Sequence, residues 1–223
     1  MYKACIFDLD GTLTDTLDSL TFSVNETLKQ FQLQQITKEQ CRTFVGNGAK
    51  VLIEKSLKAV GDESLSHMEE VFALYGTVLA NNCTYEVKPY PGVVQLLHEL
   101  KCRGLKLGVL SNKPDQQAIH VVRTIFGEGL FDYVQGQRTD VPRKPDPTAA
   151  IEMANRFQVN TEQIVYIGDS EVDAATGKAA GMSTILVDWG FRSREELEKT
   201  EVQWIVSSTD EILDIIGKEE NDR

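Results

Sequence analysis

Residues 3–16 read KACIFDLDGTLTDT, and the rest of the chain is organised around this stretch. The apolar run 4–7 has the length and composition of a short buried strand. It delivers Asp8 and Asp10 just beyond its end. In extended backbone, residues two apart point the same way, so the two carboxylates stand side by side. They repel, and either a proton or a cation between them relieves the repulsion. Gly11 lets the chain turn sharply without a Cβ. Thr12 and Thr14 add hydroxyls, and Asp15-Thr16 can cap a helix starting near Leu17. A hard divalent cation that prefers oxygen ligands, Mg²⁺ above all, fits such a carboxylate pair.

The chain has 223 residues, enough for one large domain or two small ones around a full core. Apolar residues make up 41% and charged residues 26%, the composition of an ordinary globular chain. A formal net charge of −11 argues against duplex nucleic acid as a partner, because phosphate backbones need clustered Lys and Arg. A small anionic substrate remains compatible, since a metal and a few local cations can hold one. Cys5, Cys41, Cys83 and Cys102 are scattered with no CxxC pair, which points to reduced thiols and not to a disulfide frame or a zinc site. Acids at 8 and 10 speak against a signal peptide, and no apolar run reaches the length of a membrane span. The expectation is a cytoplasmic protein with neither membrane nor nucleic acid as partner.

Downstream, Leu17, Leu20, Val24, Leu28 and Phe31 recur at helical spacing. Thr37 suits a second helix start, Gly46-Asn47-Gly48 breaks the chain ahead of a third helix, and 64–81 reads as a fourth. Roughly 17–85 is therefore a helical block without a strand signal. Pro89-Tyr90-Pro91-Gly92 then marks a stiff boundary. Beyond it, strands predicted over 105–110, 133–134, 164–167, 184–187 and 204–206 alternate with helices over 92–102, 115–125, 147–157 and 172–180 and one capped by Ser208 or Thr209. Alternation of this kind implies a parallel sheet with helices on both faces. Strand 4–7 must join that sheet, which makes the helical block an insertion. Ligands bind at the carboxyl ends of strands in open parallel sheets. The tail from 218 onward reads as frayed.

Three further polar clusters lie at such ends. Ser111-Asn112-Lys113 follows strand 105–110 and offers a hydroxyl and backbone N–H groups to phosphate oxygens. Val141-Pro142-Arg143-Lys144-Pro145-Asp146-Pro147 is stiffened by three prolines, so the Lys144 ammonium has a fixed root. Gly168-Asp169-Ser170-Glu171-Val172-Asp173 ends strand 164–167. Asp169 and Asp173 share a face if a helix begins near Ser170, an unfavourable pairing unless a cation compensates.

Taken together, the four clusters resemble the four motifs of the haloacid dehalogenase superfamily. Asp8 to Thr16 matches its Asp-x-Asp-Gly-Thr-(Leu/Val)-x-Asp-(Ser/Thr) motif at every defined position; Ser111, the Lys144 loop and Gly168-Asp169-x-x-x-Asp173 follow in family order. The resemblance implies a Rossmann-like α/β core carrying an all-helical cap. It implies that Asp8 attacks phosphorus to give an aspartyl phosphate, and that Asp10 protonates the leaving oxygen and then deprotonates water. Lys144 supplies charge, while Ser111 and Asn112 take phosphoryl oxygens. Mg²⁺ is held by Asp8, the Asp10 backbone carbonyl and Asp169, with Asp173 in support. The dehalogenase branch lacks the second Asp and the metal, so Asp10 and Asp169 favour phosphate chemistry.

On this reading residues 1–15 and 89–223 form the core and 16–88 the cap. The cap segment 44–57 resembles that of bacterial phosphoglycolate phosphatases, with Gly46, Asn47 and Gly48 before an amphipathic helix and a cation at Lys55. Arg is common at that position, and Lys lacks its bidentate grip on a carboxylate. The implied enzyme is a phosphomonoester hydrolase acting on a small phosphorylated metabolite such as 2-phosphoglycolate, as a monomer or homodimer. Pyrophosphatase, sugar-phosphate phosphatase and β-phosphoglucomutase activities stand as alternatives, as does a non-catalytic binding subunit.

Overall fold

In the computed structural model the described residues are 1–221; the end of the tail read as frayed lies outside them. The chain begins with β1 (Ala4–Phe7) and a two-residue β2 (Thr14–Asp15). Four helices follow, α1 (Leu17–Gln30), α2 (Lys38–Phe44), α3 (Ala49–Ala59) and α4 (Met68–Asn82), and then a two-residue β3 (Lys88–Pro89). Strands and helices alternate thereafter: α5 (Val93–Cys102), β4 (Lys106–Pro114), α6 (Asp115–Phe126), β5 (Tyr133–Gln137), α7 (Thr148–Phe157), β6 (Ile164–Gly168), α8 (Glu171–Ala180) and β7 (Ser183–Val187). The chain ends with α9 (Arg194–Leu197), β8 (Trp204–Val206) and α10 (Thr209–Asn221).

Six strands make one parallel sheet in the order β5-β4-β1-β6-β7-β8. From β1 the chain winds outward through β4 and β5, then returns to the other side of β1 for β6, β7 and β8. The reversal at β1 leaves a crevice at the carboxyl ends of β1, β4 and β6, the general ligand position in such sheets. Every residue of β1 is buried. Cys5 and Phe7 pack into one hydrophobic layer with α5 and α10, whereas Ala4 and Ile6 pack into the other with α7. The strand's period of two thus feeds both faces, which explains why it reads as a continuous apolar run.

Helices α1 to α4 pack on one another, with Leu20, Val24, Leu28, Ile53, Leu57, Val71 and Leu79 buried. Where the insertion leaves the core, β2 and β3 pair antiparallel, Thr14 opposite Pro89 and Asp15 opposite Lys88. Two-residue strands carry no periodic signal, so this tie is invisible to pattern reading. Three boundaries also differ from expectation. β4 continues through Ser111–Lys113 because Pro114 pairs with Gln137 of β5 after a register shift. α4 starts at Met68 and not at 64, because the Asp62 carboxylate accepts from the Ser66 and His67 N–H groups and holds a turn there. At α1, Asp15 Oδ1 accepts from Leu17 N at 3.1 Å, while the buried Thr16 hydroxyl has no partner among the described residues, so Asp15 alone caps.

Candidate active site

The loop after β1 doubles back at once. Leu13 N and Thr14 N both donate to Leu9 O, and Gly11 N donates to Thr14 O at 2.9 Å. Gly11 adopts φ +89, and a Cβ there would strike the Asp169 carboxylate. Gly190, in the loop after β7, is held bare by the same carboxylate from the other side. Both glycines are therefore fixed by the close approach of backbone to Asp169.

This turn places Asp8, from the end of β1, beside Asp169 and Asp173 from the end of β6 and the first turn of α8. Ligand-competent oxygens of these three acids lie within 4.8 Å of one another. Lys144 Nζ reaches into the same cluster, 2.9 Å from Asp8 Oδ1 and 2.8 Å from Asp173 Oδ1, with only 3% of the residue exposed. Asp173 also accepts from Tyr166 Oη, Ser170 Oγ and Asp169 N, so its oxygens are largely spoken for. Asp169 accepts from Thr12 Oγ1 at 3.3 Å and from Phe191 N at 2.7 Å. Asp8 Oδ1 accepts from Leu9 N at 2.7 Å.

Electrostatics here are unfavourable for bare carboxylates. Burial pushes the Asp8 carboxyl up to about 7; Lys144 pulls it down and Asp173 pushes it further up. Burial, then Asp173 and Asp8, also raise Asp169 well above the usual carboxylate range. Burial would lower Lys144, but Asp173 and Asp8 outweigh it and hold the ammonium charged. One ammonium among three acids leaves an excess of negative charge. An all-oxygen donor set with that excess fits a hard divalent cation.

Asp10 stands apart from this trio. Its carboxylate oxygens lie 3.2 and 3.3 Å from Lys113 Nζ, at the end of β4, and the Lys113 side chain is 1% exposed. Ser111 Oγ accepts from Lys113 N at 3.2 Å and lines the cavity above Asp8. Asn112 lines the same cavity, but its side chain is engaged elsewhere. Its Oδ1 accepts from Lys144 N at 3.0 Å, and its Nδ2 donates to Lys144 O and to Gly46 O, both at 3.1 Å. Asn112 thus roots the Lys144 loop and touches the helical insertion at once.

The insertion supplies the roof. Leu20, Val45, Gly46, Gly48, Ala49, Leu52, Tyr75 and Leu79 line the cavity opposite the acids. Its 45–48 turn is gripped from the core: Arg192 Nη2 donates to Val45 O at 3.0 Å and Arg143 Nη1 to Asn47 O at 2.8 Å. Arg42 Nε donates back to Phe191 O at 3.0 Å. Of the four expected cap residues, Gly46 and Gly48 line the cavity and Asn47 meets Arg143. Lys55 instead lines an adjoining recess with Glu39, Arg42, Glu171 and Glu196, which shares Phe191 and Arg192 with the cavity. Lys113, Arg192 and the Phe191 N–H carry site geometry that pattern reading did not assign. Lys113 could have been flagged as a cation immediately after a phosphate-type motif; Arg192 had no local signal.

The match to known proteins follows this geometry. The chain belongs to the haloacid dehalogenase-like hydrolases, whose family model matches residues 5–187. It is 30% identical to a phosphoglycolate phosphatase of Mannheimia succiniciproducens over 96% of this chain and 98% of the relative. It is 34% identical to one of Rhodospirillum rubrum over 87% of this chain and 83% of the relative. A crystal structure of a "predicted phosphoglycolate phosphatase" from Haemophilus somnus 129pt superposes with a TM-score of 0.89 at 27% identity, covering 96% of this chain and 97% of that one. Among the described residues no helix is long and apolar enough to cross a membrane.

Proposed function

We propose that this hydrolase is a Mg²⁺-dependent phosphomonoester phosphatase that works through an aspartyl phosphate on Asp8, with 2-phosphoglycolate as the best-supported substrate. The phosphatase class rests on the family and on relatives that match nearly the whole chain. The observation that carries the mechanism is the clustering of Asp8, Asp169 and Asp173 at the switch point of the sheet, with one buried lysine paired to Asp8 and Asp173. The substrate comes from the named relatives and from the small, mostly apolar cavity roofed by the insertion.

In this reading residues 1–15 and 89–223 are the core and 16–88 the cap domain, with the β2–β3 pair as its tether. Asp8, the Asp10 carbonyl and Asp169 would hold Mg²⁺, and Asp173 would orient Lys144 and Asp169. The ion would screen the charge between carboxylate and phosphate and stabilise the transition state. Asp8 attacks phosphorus; no base is needed once it is ionised. Lys144 keeps Asp8 ionised and faces the charge that develops on the phosphoryl oxygens. Ser111 Oγ has its hydrogen available for a phosphoryl oxygen. Asp10 gives its proton to the leaving oxygen, then takes one from the water that attacks phosphorus and frees Asp8. Asn112 acts indirectly, by fixing the backbone of Lys144.

The test is phosphate release with Mg²⁺ or with EDTA across 2-phosphoglycolate, pyrophosphate, hexose phosphates, nucleotides and an aryl phosphate. The expected result is Mg²⁺-dependent release, fastest from 2-phosphoglycolate. Preference for pyrophosphate or a hexose phosphate would overturn the substrate assignment. Absence of release from every compound would overturn the enzyme.

A further inference from the structure

A substrate such as 2-phosphoglycolate brings a second negative charge on its leaving group, and some cation must meet it. Two described cations line the cavity, Lys113 and Arg192. Arg192 is committed: Nε and Nη2 pair with Glu171, Nη2 also donates to Val45 O, and Nη1 donates to Arg42 O. Lys144 is committed to Asp8 and Asp173. Lys55, the cation expected from the cap, lines the adjoining recess and not the cavity itself.

Lys113 lines the cavity, which Lys144 does not, and it pairs with a single carboxylate without the backbone carbonyls that also hold Arg192. An ammonium has three N–H donors. Its described side-chain partners are the two Asp10 oxygens, so one N–H has no described acceptor, although the side chain is 1% exposed. A buried donor left open toward a cavity is costly unless a ligand takes it. Tyr75 of α4 lines the same cavity and is 1% exposed. Lys113 stands beside Asp10, the residue at the leaving-group end of the reaction.

Building on the phosphatase reading, we propose that Lys113 is the specificity-determining residue of the site. Its free N–H receives a carboxylate on the substrate's leaving group, so the enzyme selects phosphomonoesters of small hydroxy acids. The ammonium then lies between Asp10 and the substrate's carboxylate and supplies the positive charge that the latter needs. Recognition of this kind comes from the core domain and not from the cap.

The test compares kcat/KM for 2-phosphoglycolate with that for 2-hydroxyethyl phosphate, which has the same size but no carboxylate. Melting curves establish that each variant is folded. In the unmodified enzyme the acid is preferred. Lys113→Met lowers that preference by about tenfold to a hundredfold, the loss of one charge-assisted hydrogen bond, chiefly through KM for the acid. Lys113→Arg restores part of it. If both substrates slow equally in Lys113→Met and their ratio holds, Lys113 only positions Asp10 and the proposal fails. If Lys55→Met removes the preference while Lys113→Met does not, the cap cation is the reader. An unmodified enzyme that releases phosphate but does not prefer the acid refutes the proposal and leaves the phosphatase intact. One that releases none from either ester or from an aryl phosphate refutes the phosphatase itself.

Discussion

Replacing Lys144 by Met removes one charge and keeps most of the side-chain volume, so it isolates the electrostatic role of the buried lysine. Its ammonium makes contacts of 2.9 Å to Asp8 and 2.8 Å to Asp173 in a place that water barely reaches. Breaking a buried pair leaves uncompensated charge and costs about 3–5 kcal/mol. For a chain of this length each kcal/mol lowers Tm by about 2–4 °C, so the variant should melt about 6–20 °C lower at pH 8 in EDTA. The deficit has a definite pH sign. The Asp8 carboxyl is already raised to about 7 in the native protein, and loss of the ammonium raises it further. A carboxyl raised on folding contributes stability that is complete below its unfolded pKa and is lost as pH rises through the folded value. The gap between variant and native protein should therefore shrink from pH 8 toward pH 5. Added Mg²⁺ should narrow it at pH 8 by supplying the missing positive charge. Circular dichroism melts at both pH values, with and without Mg²⁺, make the measurement, and phosphate release should fall below detection. A Tm at pH 8 in EDTA within 2 °C of the unsubstituted protein would refute the reasoning, since Lys144 could not then be neutralising buried acids.

Asp8→Asn should abolish phosphate release while leaving Tm at pH 8 equal or higher, because it removes a carboxylate that burial disfavours; a melt and a phosphate assay on one preparation check it. Gly190→Ala should displace the Asp169 carboxylate and the Gly11 turn, and weaken Mg²⁺ binding at least tenfold as followed by the fluorescence of the adjacent Trp189; unchanged binding would show that Asp169 does not hold the ion. Asp132, remote from the site, accepts from Lys101, Lys106 and Leu107 N, and these bonds outweigh its burial to hold the carboxyl below the usual range. Asp132→Asn should cost about 1–3 kcal/mol at pH 7 with kcat unchanged, and the cost should fade as pH drops through the carboxylate range, where the native protein loses the same contribution.

Much of this was legible from residues alone because local chemistry and fold agree. A β1 buried on both faces must read as a continuous apolar run, and Asp8 must then fall at its end. Gly168-Asp169 follows β6 by the same logic, and three prolines announce the Lys144 loop. What escaped detection depends on contacts between distant segments. The β2–β3 tie joins residues more than seventy positions apart through two-residue strands. Arg192 acquires its role only by meeting Glu171 and the Val45 carbonyl in three dimensions. Asn112 is expected among the groups that take phosphoryl oxygens; that its side-chain amide clasps the Lys144 backbone is something no spacing rule reveals. Lys55 sits on the expected helix but lines another recess, because helix phase decides which wall a residue lines.

The central claim is that the phosphoryl group passes through the Asp8 carboxylate. Its most direct test is acid quenching within one turnover of an aryl phosphate labelled in the phosphoryl group, followed by peptide mapping. The account predicts a transient, Mg²⁺-dependent label on the peptide that contains Asp8, absent in Asp8→Asn. Label on any other residue, or single-turnover product formation with no labelled protein at any quench time, would contradict it.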